Sequence, residues 1–211
     1  MSKSRKGFRR NPPFREPASR ILVVTEGTKT EPIYFKALLR RLRLSNRLVV
    51  VVSAIGSDPL TIVETANRKL QENTENHKPG FEQTWLVFDT ESNRVHLHEA
   101  TQRAKGKGYK LAISAPCIEY WFLLHFTYTT RYMTKCDEAL DELRKHIEYD
   151  KGAFNANEVI EQTNQAIINA RLIRQNQTNT NTEFPRTDVD LLVDQLNSLA
   201  DKNDRLFDEN G

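Results

Sequence analysis

Four short, almost unbroken apolar runs mark the first half of the chain: Ile21-Leu22-Val23-Val24, Leu48 to Ala54, Trp85-Leu86-Val87-Phe88 and Leu111-Ala112-Ile113-Ser114. Each is too short for a core helix and carries β-branched or aromatic residues, the pattern of strands buried on both faces. Between the runs the period lengthens. Tyr34, Phe35, Leu38, Leu39 and Leu42 recur at helical spacing behind Glu31-Pro32, where proline suits a first turn. Asp58-Pro59 opens a second helix reaching about Gln71, and a third runs from His96 to Lys105 before Gly106 and Gly108 close it. Pro116 halts the fourth run, and the apolar stretch from Cys117 to Phe126 predicts a buried helix. Further helices are predicted over 136–149, 157–174 and 188–201, with the polar run Asn176 to Asn181 as a loop.

Strand and helix therefore alternate four times, which predicts an α/β fold with a mainly parallel four-stranded sheet flanked by helices. The last third shows no strand pattern and is expected to form a C-terminal helical cap. Residues 1–19, with Pro12, Pro13 and Pro17 and no apolar period, predict a flexible arm; 20–130 form the α/β domain and 131–211 a helical extension packed on it.

Composition narrows the class more than the function. A hydrophobic content of 38% beside 28% charged residues is that of a globular protein and excludes wholesale disorder. No apolar run approaches the roughly 20 residues that span a bilayer. The basic start leads into Pro and Arg instead of an apolar signal core, so a cytoplasmic protein without a membrane partner is expected. The net charge of +3 conceals an asymmetry: residues 1–20 hold seven Lys/Arg and one acid, leaving 24 basic and 27 acidic residues in the remainder. A basic arm on a mildly acidic body suits contact with a polyanion such as nucleic acid. The two cysteines, Cys117 and Cys136, match neither a disulfide framework nor a CxxC metal pattern, and both are expected to be free thiols.

Chemistry enters at the strand ends. In a parallel sheet the loops at the carboxyl ends share one crevice, where ligands bind. Glu26 follows the first strand, and Asp89 with Glu91 follow the third, where i, i+2 spacing in extended chain turns both side chains the same way. Taken singly, such acids are ordinary helix caps. Gathered at two strand ends, they repel one another unless a cation neutralises them, and Mg²⁺ (or Mn²⁺) accepts an all-oxygen set. No Cys or His stands at these two ends, which argues against zinc there. Gly27 permits a sharp turn, after which Lys29 lies near a helix start that suits phosphate. Glu119, after the fourth strand, is a further acid able to reach the crevice. His125 is expected to be a packed core residue.

The segments ILVVTEGTKTEPIYF, WLVFDTES and SAPCIEYWFLLHF, in that order, resemble the RloB family, whose members resemble the Toprim fold. The resemblance covers most of residues 20–130 and extends weakly to Tyr149-Asp150-Lys151 and Arg186-Thr187. Glu26-Gly27 matches the Toprim Glu-Gly motif; Asp89-Thr90-Glu91 departs from Asp-x-Asp by a Glu in the second acidic place. The resemblance implies enzymes that make or break phosphodiester bonds, and a role in bacterial defence against phage or foreign DNA beside a partner ATPase. The expected chemistry is Mg²⁺-assisted hydrolysis of nucleic acid, with Asp89 and Glu91 anchoring the ion and Glu26 serving as ligand or general base. Glu119 would give support, while Lys29, Lys151 and Arg186 would clamp phosphate. The same site would also serve nucleotidyl transfer. A non-catalytic nucleic-acid-binding or partner-regulating module is the reading of a different class, and acids rather than basic groups at the crevice speak against it.

Overall fold

The computed structural model describes residues 20–56, 58–91, 94–180 and 185–207; the basic arm 1–19 lies outside them. Four strands, β1 (Ile21–Thr25), β2 (Val49–Ser53), β3 (Gln83–Asp89) and β4 (Lys110–Ala115), form a parallel sheet in the order β2-β1-β3-β4. The crossover helices are α1 (Thr30–Arg41), α2 (Pro59–Glu75) and α3 (Arg94–Gly106), and their starts follow local chemistry. Pro59 occupies the first turn of α2, and Asp58 accepts the Leu60 N–H at 2.9 Å.

Alternation along each strand sends side chains to two cores. Ile21, Val23, Trp85, Val87 and Ala112 face one side with α1 and the C-terminal helices; Leu22, Val24, Leu86, Phe88 and Ile113 face the other with α2 and α3. The first of these cores is larger, because α4 (Ile118–Leu123), α5 (Cys136–Leu143), α6 (Ala156–Glu161), α7 (Thr163–Thr180) and α8 (Val189–Leu199) pack there around Trp121, Phe122, Leu143 and Leu196. A sheet covered on both faces explains why its strands read as continuous apolar runs.

The C-terminal third departs from expectation in three ways. It contributes a fifth strand, β5 (Arg186–Thr187), antiparallel to β4, so the sheet has five strands and not four. Two residues are too few to show a period. They are held by pairing of Thr187 with Ser114, whose hydroxyls lie 3.1 Å apart, and by the Asp188 N–H donating to Ile113 O. The stretch expected as one helix over 157–174 is divided between α6 and α7, and α7 continues to Thr180 through most of the expected polar loop. The helix expected to reach Tyr149 ends at Leu143.

The cysteines are also corrected. Cys117 and Cys136, expected as free thiols, form a disulfide that ties the residue before α4 to the first residue of α5. Their separation of 19 residues carries no pairing signal, and only the packing of α4 beside α5 brings the sulfurs together. Among the described residues no helix is long and apolar enough to cross a membrane.

Candidate metal centre

The carboxyl ends of β1, β3 and β4 open into one cleft of about 440 Å³, lined by Glu26, Lys29, Glu31, Asp89, Glu119 and Lys151 among others. Parallel pairing of β1 with β3 sets Thr25 opposite Val87, so the residues that follow emerge side by side. The Asp89 N–H donates to Glu26 Oε2 at 3.1 Å, fixing the first acid against the backbone of the second. Glu31, in the first turn of α1, folds back over the loop: its Oε1 accepts the Gly27 N–H at 2.8 Å. This contact gives Gly27 its structural reason, because a Cβ there would collide with the Glu31 carboxylate.

Glu119 comes from the first turn of α4 and is 1% exposed. Its Oε1 accepts the Tyr149 hydroxyl at 2.9 Å and lies 3.6 Å from Lys151 Nζ. The loop carrying Lys151 passes close to α1: Gly152 has φ of 87°, and a Cβ there would sit 2.9 Å from Lys29 Cδ. Glycine satisfies both demands at once.

Electrostatically the cleft is a gathering of like charges. Asp89 Oδ1 is buried and has no hydrogen-bond partner among the described residues. Burial holds the Asp89 pKa well above the ordinary carboxylate range, and the nearby Glu31, Glu26 and Glu119 carboxyls push it further up; Lys151 pulls it down. Glu31, 5% exposed, is raised by burial first, against the hydrogen bonds it accepts, with Glu119 and Glu26 adding to the rise. An unpartnered buried oxygen on Asp89, in a cleft also lined by Glu26, Glu31 and Glu119, is a hard-oxygen donor set of the kind Mg²⁺ or Mn²⁺ accepts, although no three of these carboxyls lie close enough to one another to close a shell as they stand.

A model of the family described as RloB-like protein matches residues 21–196, which is most of the chain. The chain belongs to the RloB-like protein family. No curated protein and no solved structure matches it. The match spans every strand and all the cleft residues named above, and it runs on into α8.

The structure of this RloB-like chain distributes the residues singled out in the sequence unevenly. Glu26, Asp89, Glu119, Lys29 and Lys151 converge on the cleft. Glu91 does not line it: the side chain is exposed and its Oε2 accepts the Cys136 N–H at 3.1 Å, at the start of α5. The i, i+2 reasoning fails here because β3 ends at Asp89 and the chain turns, with the Glu91 N–H donating to Pro116 O. Arg186 lines another cavity, of about 310 Å³, beside Arg174 and Asp188. Glu31 and Tyr149 were not singled out as site residues. The signal for Glu31 was its place four residues after Gly27, where one helical turn folds a side chain back on the loop. Tyr149 adjoins Lys151 in a motif from which only the lysine was taken. His125 is buried in the core, its Nδ1 lies 2.9 Å from Trp121 O, and burial lowers its pKa to about 3, keeping it neutral.

Proposed function

We propose that this chain is a Mg²⁺-dependent nuclease of Toprim type that hydrolyses phosphodiester bonds of nucleic acid. The observation that carries this reading is the buried, unpartnered Asp89 Oδ1 amid the Glu26, Glu31 and Glu119 carboxyls. A cluster of this kind without a matching set of cations costs stability, and a bound divalent ion converts the repulsion into coordination.

Glu26, Glu31 and Asp89 are the residues that would hold the ion, with Glu119 in support. When bound, Mg²⁺ supplies Lewis-acid polarisation of a phosphate oxygen and lowers the pKa of water. The protein's own groups do the remainder. Lys29 and Lys151, which both line the cleft, carry positive charge suited to the phosphates flanking a scissile bond. The base that accepts a proton from an attacking water would be Glu26 where it does not ligate the ion. Tyr149 and Lys151 hold the Glu119 carboxylate in place. Glu91 fastens α5 in this reading and stands outside the chemistry. The defence role beside a partner ATPase belongs to the same proposal through the family resemblance, and a cytoplasmic location is proposed with it from the want of a long apolar run.

Purified protein is to be assayed against DNA, RNA and tRNA with Mg²⁺ or Mn²⁺, with metal binding followed by isothermal titration. Metal-dependent cleavage that Asp89→Asn abolishes is the expected result. Cleavage at full rate by a correctly folded Asp89→Asn protein at limiting metal would overturn the reading.

A further inference from the structure

Behind the oxygen-lined cleft lies a sulfur pair that the proposed chemistry does not use. Cys117 and Cys136 are both buried, and Glu119 Oε2 lies 3.1 Å from Cys136 Sγ. One donor atom from each of Cys117, Glu119 and Cys136 falls within 4.8 Å of the other two. Tyr149 holds the opposite carboxylate oxygen, which leaves Oε2 turned toward the sulfurs.

We propose that, once the disulfide is reduced, Cys117, Cys136 and Glu119 form a site for a thiophilic divalent cation, Zn²⁺ being the best fit, that adjoins the cleft and shares Glu119 with it. Reduction by a small-molecule dithiol delivers two electrons to the S–S bond and a proton to each sulfur, while the dithiol closes to its own disulfide. Metal binding then releases both thiol protons, because thiolate is the ligand. Two thiolates balance the ion's charge and the carboxylate gives a third donor. Zn²⁺ takes such mixed sets tetrahedrally, at about 2.3 Å to sulfur and about 2.0 to 2.2 Å to oxygen, with water free to fill the fourth place. Hard Mg²⁺ prefers the all-oxygen cleft, so ligand softness sorts two ions between adjoining sites. Lys151 Nζ, 3.6 Å from Cys136 Sγ, favours the thiolate but repels a cation; its side chain is 53% exposed and has solvent to withdraw into. Nothing in this site depends on phosphodiester chemistry in the cleft.

The test uses the full-length protein reduced with excess dithiol, its thiols counted by alkylation and its fold checked by circular dichroism. Co²⁺ serves as the spectroscopic probe. The expected result is a thiolate-to-cobalt charge-transfer band that saturates at one ion per chain, is displaced by Zn²⁺ and not by Mg²⁺, and is missing from the disulfide form. Cys136→Ser, or Cys117→Ser should the former not fold, removes the band. Glu119→Gln keeps both sulfurs and weakens Zn²⁺ binding by at least about tenfold, the loss that even an outer-shell partner brings. A reduced, folded chain without the band, a band that survives the serine substitution, or a disulfide that opens only when the chain unfolds would each overturn the proposal. Failure of the oxygen cleft is seen separately, since Mn²⁺ bound by carboxylates gives no thiolate band.

Discussion

Two carboxylates in this molecule, Asp190 and Asp89, each keep one buried oxygen without a hydrogen-bond partner among the described residues, yet differ in the charges around them. Asp190, in the first turn of α8 and fully buried, has Arg174 Nη2 donating to its Oδ1 at 2.6 Å, and the same guanidinium donates to Thr187 O. Asp89 faces three other carboxyls, with Lys151 as the cation that lowers its pKa. Burial raises the pKa of both; at Asp190 the Arg174 guanidinium opposes the rise more strongly than Asp188 and Asp194 add to it, whereas at Asp89 the Glu31, Glu26 and Glu119 carboxyls outweigh Lys151. Burial alone therefore does not mark a site. The sign of the surrounding charge does: an acid compensated from within the chain serves the fold, while an acid whose neighbours add to its burden calls for an ion from outside.

The sharpest way to break this contrast is Asp89→Asn. It removes the carboxylate oxygen proposed to bind the ion without changing volume, and cleavage should fall by more than about 100-fold, beyond the usual cost of losing an outer-shell partner. Thermal unfolding of the metal-free variant should match or exceed that of the parent, because repulsion is relieved. A marked loss of stability would place Asp89 with Asp190 as a structural acid.

Arg174→Ala tests the other side. It strands the buried Asp190 carboxylate, and because Arg174 is itself partly exposed the expected loss is about 2 kcal/mol, below the 3 to 5 kcal/mol of a fully buried pair. At roughly 2 to 4 °C per kcal/mol for a chain of this size, calorimetry should show a fall of about 4 to 8 °C in Tm. Mn²⁺ affinity should be unchanged.

The pH dependence of stability separates the regions more gently. The Asp89 and Glu31 pKa values are raised in the folded, metal-free chain, so both contribute stability below the ordinary carboxylate range of about 4. That contribution is lost as pH rises through the raised folded values. Metal-free Tm should decline as pH rises above that range, and saturating Mg²⁺ should flatten the decline. A profile indifferent to Mg²⁺ would remove the ion from the cleft.

The smallest effect is expected at Glu91. Glu91→Gln keeps an acceptor for the Cys136 N–H and loses only an exposed charge at the start of α5, worth about 0.3 to 1 kcal/mol. Cleavage within about twofold of the parent is expected; a loss as large as that of Asp89→Asn would restore Glu91 to the centre.

These contrasts explain how much of the molecule could be read from its sequence. The four parallel strands were legible because burial on both faces leaves unbroken apolar runs, and Glu26, Asp89 and Glu119 were legible because each directly follows or lies just beyond such a run. Glu31 was hidden one helical turn further on, where an acid beside Pro32 reads as an ordinary helix start. Glu91 was misplaced because strand periodicity was extended past the residue at which β3 ends. β5 and the Cys117–Cys136 disulfide are set by tertiary packing of segments whose local sequence says nothing of each other.

The acids and lysines of the cleft come from four separated stretches of chain, the loop after β1 running into α1, the end of β3, the start of α4 and the turn bearing Lys151. Such a cleft depends on distant pairings, which form late and slowly compared with local structure. During synthesis, all four parallel strands and the first three acids emerge before Glu119, Tyr149 and Lys151 exist. A nascent chain, or one cut short before residue 149, lacks the hydroxyl and ammonium that grip the Glu119 carboxylate, so the cleft is complete only when translation has passed that turn.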